Sequence, residues 1–188
     1  MDKRKTGFLL IIIIMIIQSA MPALAKDAYL SDIVVTNNRD HLLVYLSVND
    51  CFTIEMNRAI ESGLNTTFTF FIELYERRNL WWDRKITGVE VSHSIKYDNL
   101  KQIYEVSLSE NDNEIITVKD FDEVKKLMSD VVALKVIPIH KLHKGGHYQL
   151  KMMAELNKIK LPFYLHYVFF FLSLWDFETD WYSVNFRY

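Results

Sequence analysis

The chain predicts a mainly β protein: a two-layer antiparallel β-sandwich carrying one to three short helices. Three observations predict it. Apolar residues return at every second position in stretch after stretch, the period of a half-buried strand. Phe, Tyr and Trp make up 14% of the residues, enough bulk to fill a core between two sheets, since each ring buries on the order of 150–250 Å². Only 5 Gly and 3 Pro interrupt the chain, and no repeat, low-complexity tract or linker divides it. A single β-rich domain over residues 26–188 is therefore expected after a distinct first segment.

That first segment reads as a cleavable export signal over residues 1–25. Lys3, Arg4 and Lys5 precede an unbroken apolar run from Phe8 to Ile17, and Ala23-Leu24-Ala25 closes it. A basic start, a short apolar middle and a small-x-small end are the three parts of a secretory leader. The expected cut follows Ala25. A retained anchor is the alternative, but spanning a bilayer takes roughly 20 apolar residues, and Gln18 and Ser19 interrupt this run. Cleavage would remove Lys3, Arg4, Lys5 and Asp2, taking the formal net charge from -2 to -4. An acidic body of that kind lacks the basic footprint of a nucleic-acid binder. Cys51 is the only cysteine, so no intramolecular disulfide is available and packing alone must hold the fold. A lone thiol between Asp50 and Phe52 is expected to be a buried small hydrophobe.

Strands are expected at Tyr29–Thr36, Leu42–Asp50, Thr66–Glu76, Val89–Tyr97, Gln102–Glu110, Ile115–Val118, Val131–Ile139, His147–Leu156 and Trp181–Tyr188. In Thr66–Glu76 the apolar face is Phe68, Phe70, Ile72 and Leu74. Val131–Ile139 is apolar on both sides apart from Lys135, which predicts a central strand. Two segments depart towards helix. Thr53–Ser62 places Ile54, Met56 and Ile60 near one side, with Gly63 as its stop. Asp120–Met128 starts on an N-cap Asp with Glu123 at the capping-box spacing, and Phe121, Val124, Leu127 and Met128 form its apolar stripe. Pro162 opens an aromatic stretch, 163–175, that favours a buried helix and also permits a strand. This many short strands, with few helices, makes the sandwich immunoglobulin-like in kind.

Three blocks carry a family resemblance: E-S-G-L-N-T-T-F-T-F-F-I-E-L-Y-E-R-R-N-L-W-W-D at 61–83, I-K-Y-D-N-L-K-Q-I-Y-E-V at 95–106, and L-P-F-Y-L-H-Y-V-F-F-F-L-S-L-W-D-F-E-T-D-W-Y-S at 161–183. Together they resemble a family of short exported bacterial proteins known only as domain of unknown function 4390. The resemblance implies an envelope protein of a Gram-negative bacterium with no established activity. It assigns no functional residue.

Among the residues themselves, Arg77, Arg78, Trp81 and Trp82 form the candidate partner-binding set, because Trp and Arg dominate binding hot spots. In a strand, Trp81 and Trp82 would face opposite sides, one core and one exposed. The structural alternative is a Trp anchor under a hairpin with the arginines pairing to Asp83 or Glu76. His140, His143 and His147 have a spacing that imidazole–metal sites use. However, Gly145-Gly146 reads as the turn of a hairpin between 131–139 and 147–156, and Lys141 and Lys144 oppose a cation. No metal and no cofactor is expected. Asp176, Glu178 and Asp180 lie in one acidic turn, where carboxylates bond their own backbone more readily than they face each other across a cleft. No nucleophile elbow or phosphate loop is present, so no enzyme and no small-molecule substrate is predicted. The expected role is a periplasmic binding or accessory module for an envelope or inner-membrane protein. The alternative is membrane association, through an interfacial 163–175 segment or as a small outer-membrane barrel.

Overall fold

The computed structural model describes residues 28–78, 81–156 and 178–188. The leader 1–25, the 163–175 stretch and Asp176 lie outside them. Nine strands run β1 (Tyr29–Asn37), β2 (His41–Asn49), β3 (Thr66–Glu76), β4 (Arg84–Asp98), β5 (Ile103–Leu108), β6 (Ile115–Val118), β7 (Asp130–Pro138), β8 (His147–Leu156) and β9 (Tyr182–Arg187). Two helices join them, α1 (Ile54–Glu61) and α2 (Phe121–Ser129). The strands form a three-stranded sheet, β1-β2-β7, and a six-stranded sheet, β6-β5-β4-β3-β8-β9. Every pairing is antiparallel. The architecture is a β-sandwich. Because the described strands make two open sheets, the small-barrel alternative is set aside.

Alternation in the sequence becomes the two inner faces. Leu42, Val44, Leu46 and Val48 of β2 are buried towards one core with Phe68, Phe70, Ile72 and Leu74 of β3. Tyr148, Leu150, Met152, Ala154 and Leu156 of β8 join the same core. Cross-strand register carries the apolar face through the large sheet, as in the row Leu156–Phe68–His93–Leu108. Cys51 is buried as expected, and burial pushes its thiol up to about 12.

Both helices form where expected, with adjustments. Thr53 caps α1 by accepting a bond from Met56 N at 3.2 Å. Gly63 ends the helix at φ +87°, a left-handed position that suits glycine. Met56, Ala59 and Ile60 are buried, while Ile54 is 67% exposed. Ile54 precedes Met56 by two positions, about 200° around a helix, so the two cannot share a face. Asp120 caps α2 by accepting from Asp122 N at 3.0 Å. Val124 and Met128 are fully buried, and Phe121 packs its ring 5.3 Å from that of Tyr104.

Two expectations about β7 are corrected. It is an edge strand, next to β2 alone. Its apolar residues fall on both sides because a bulge at Ala133, with φ +53°, resets the alternation and the register against β2 shifts. Val131, Leu134, Val136 and Ile137 are buried, while Val132 is 65% exposed. Nor do β7 and β8 form a hairpin, since they belong to different sheets. Pro138 ends β7, and a 3-10 turn at Ile139–Lys141 carries the chain across.

One polar group is built into the apolar interior. His93, on the inner face of β4, has no exposed surface. Its Nδ1 donates to the carbonyl of Met128, at the end of α2, over 3.1 Å. Its Nε2 lies 2.7 Å from Oε1 of Glu110, in the 3-10 turn after β5. The ring packs on Phe70 with centroids 4.8 Å apart. Burial alone would raise the Glu110 carboxyl, but the hydrogen bond and charge of His93 outweigh it and hold the group below the usual carboxylate range.

A carboxyl held low in the folded state contributes stability above its unfolded value of about 4.3. That contribution drains away as pH falls through the folded value. Urea unfolding followed from about pH 7 to about pH 3 should show stability falling with acid, and Glu110→Gln should shallow that dependence. The same slope in the variant would contradict the assignment. His93→Phe, which strands the buried carboxylate, should cost about 3 kcal/mol at neutral pH.

Candidate functional site

At the end of the sandwich where β3 leaves the large sheet, three strands bring two arginines and a histidine together. Arg77 follows β3, His147 opens β8, and Arg187 closes β9. The backbone fixes their order. Arg77 N donates to the carbonyl of His147 at 2.8 Å, and His147 pairs with Arg187 in the β8–β9 register. Arg77, His147 and Arg187 therefore form a row across three neighbouring strands. Together with Arg78, Tyr148, Asn185 and Phe186 they line a cleft of about 620 Å³.

The charges in this corner are unevenly matched. Arg77 Nε lies 3.4 Å from Asp83 Oδ2, and its NH1 donates to Asn185 Oδ1 at 3.4 Å. Arg78 reaches Glu76 only at 3.7 Å, and Arg84 takes the same carboxylate oxygen at 2.9 Å. His143 approaches the other oxygen of Glu76 at 3.8 Å. Arg187 makes no ion pair with any described residue. Three arginines thus share two carboxylates, and the arginine on β9 has neither. Like charges gathered in one corner cost folding free energy. A site that keeps them is equipped to receive an anion.

The floor of the cleft is rigid. Tyr148 is fully buried, its ring stacks on Phe186 with centroids 5.6 Å apart, and its hydroxyl accepts from His143 N at 2.7 Å. The turn before β8 closes on the same ring. A Cβ on Gly146 would meet the Tyr148 ring and hydroxyl at 2.8 Å and the His143 carbonyl at 2.9 Å.

The sequence-derived set lands here in part. Arg77 and Arg78 line the cleft, and their pairing to Asp83 and Glu76 is the one anticipated for a hairpin end. Trp81 and Trp82 do not lie within a strand, because β4 begins only at Arg84. Both indoles are solvent-exposed, at 77% and 92%, so neither anchors the core. His147 stands out in the sequence only as a metal-ligand candidate, and Arg187 and Asn185 carry no motif there. Their signal was the polar face of the final alternation, and only the β3–β8–β9 register places it beside Arg77.

The other clusters disperse. His140 lies in the 3-10 turn, His143 faces Glu76, and His147 lines the cleft. Among the described residues no three His, Cys, Asp or Glu side chains converge as a metal ion requires. Glu178 pairs with Glu155 in an isolated antiparallel bridge. Next to it, Thr179 N donates to the Ala154 carbonyl at 2.9 Å and Thr179 Oγ1 accepts from Ala154 N at 3.0 Å. That segment latches onto β8. The His93–Glu110 pair borders a cavity of about 300 Å³ lined by Leu108, Glu110, Lys126 and Asp130 among others, but both nitrogens of His93 are already engaged.

Residues 25–185 match the model of a family described as a domain of unknown function, DUF4390. No curated protein and no solved structure matches the chain.

Gly146→Ala should cost about 1–3 kcal/mol, because the buried Tyr148 ring has nowhere to retreat. Chemical denaturation of the variant checks this, and an unchanged midpoint would show that the turn gives way instead.

Proposed function

The chain belongs to the DUF4390 family, and for it we propose a non-enzymatic binding role outside the cytoplasm. In this reading the protein is an exported, periplasmic accessory module that docks on a protein or another component of the bacterial envelope. The observation that carries it is the cationic cleft of Arg77, Arg78 and Arg187, with two exposed indoles directly before Asp83, the partner of Arg77, in the chain. Large aromatic side chains left in water, next to arginines short of carboxylates, match the residue chemistry of binding hot spots. The basic, apolar and small-residue succession of the first 25 residues supports export. Membrane association is the second reading, favoured by the same indoles, which suit an interface that is apolar on one side and wet on the other.

Replacing Trp81 and Trp82 together by Ala should leave stability within about 0.5 kcal/mol, because neither side chain is buried. The double variant should nonetheless lose the crosslinks that the natural protein makes to envelope components in the cell. An identical crosslinking pattern in a folded variant would remove the docking role. Amino-terminal sequencing of the natural protein should begin at Lys26, and recovery of Met1 would remove the cleaved leader.

A further inference from the structure

We propose that the cleft between β3, β8 and β9 takes a phosphate group, and that this phosphate belongs to the headgroup of an anionic phospholipid. The inference rests on reading this corner as a binding surface and names what it binds. Guanidinium groups match phosphate oxygens through paired, charge-assisted hydrogen bonds. Arg77 and Arg187 stand on either side of His147 in the strand register, and Arg78 lines the same cleft. Arg77 spends Nε on Asp83 and NH1 on Asn185, each at 3.4 Å, too long to be a strong bond. Asp83 is an internal carboxylate on Arg77, held also by Arg78 N at 3.2 Å, and a phosphate would compete with it. The cleft, at about 620 Å³, has room for a headgroup around the phosphate.

The indoles choose the source. A phosphate ester free in solution offers nothing to Trp81 and Trp82, which project at 77% and 92% exposure from the same turn as Asp83. At a bilayer surface, indoles occupy the headgroup zone while cations meet the phosphates. The cleft supplies the cations, and the turn that carries Asp83, the partner of Arg77, supplies the indoles. An acidic protein segment would satisfy the arginines without needing the paired indoles.

The test uses the protein as the exporting cell processes it. It is sedimented with vesicles of phosphatidylglycerol and phosphatidylethanolamine, and with vesicles of phosphatidylcholine alone. Binding to the anionic vesicles should exceed binding to the neutral ones and weaken as salt rises. Arg77→Gln with Arg187→Gln should weaken it at least about tenfold, the loss expected for a charge-assisted bond. Asp83→Asn should do the opposite and tighten it, which keeps the test readable even if the arginine variant folds poorly. Trp81→Ala with Trp82→Ala should weaken vesicle binding but leave weak binding of glycerol phosphate intact. Vesicle binding indifferent to the arginines and to Asp83 overturns the proposal, as does glycerol phosphate binding as tightly as vesicles. Envelope-protein crosslinks that still depend on the indoles, with no vesicle binding, would sink the phosphate inference while leaving the docking role standing.

Discussion

A six-stranded sheet faces a three-stranded one, and that mismatch governs the interior. The inner face of the large sheet is apolar along most of its width, so three strands cannot cover it. Apolar area left in water costs roughly 25 cal/mol per Å², which makes an uncovered flank untenable. The helices supply the missing roof. Met56 and Ile60 of α1, and Val124 and Met128 of α2, belong to the same buried cluster as the strands. The rings of Phe52, Phe121 and Tyr104 pack successively from the segment before α1 to β5.

His93 marks where that roof is fastened. Its two nitrogens reach the end of α2 and the turn after β5, and α2 leads directly into β7 of the small sheet. A buried polar group without partners costs several kcal/mol, whereas one with both bonds made fixes a single arrangement of the elements around it. An apolar residue at this position would bury equally well but would remove the hydrogen bonds that His93 makes to Glu110 and the Met128 carbonyl. The pair therefore specifies how the helix sits, beyond what close packing alone dictates.

Periodicity made much of this legible. Thr66–Glu76 and His147–Leu156 are strands with the bounds the alternation indicates, and both short helices lie where their caps and stripes place them. What alternation cannot show is which sheet a strand joins. β7 looks central because a bulge scatters its apolar residues over two faces, and its true position depends on pairing with β2 across a long stretch of chain. The same blindness limited the site. Arg77 and Arg78 stand out beside two tryptophans, but Arg187 is unremarkable until β9 is set against β8. Trp81 and Trp82 were misjudged for a local reason: they fall in the turn, where strand alternation has no authority.

The cleft is also strongly non-local. Its bond between Arg77 and Asn185 joins residues 108 positions apart in sequence, and β8 must lie between them before the row exists. No partial chain and no extended one possesses it. Affinity for an anion would thus arise only as the last edge of the sheet closes, which makes ligand capture a readout of completed folding.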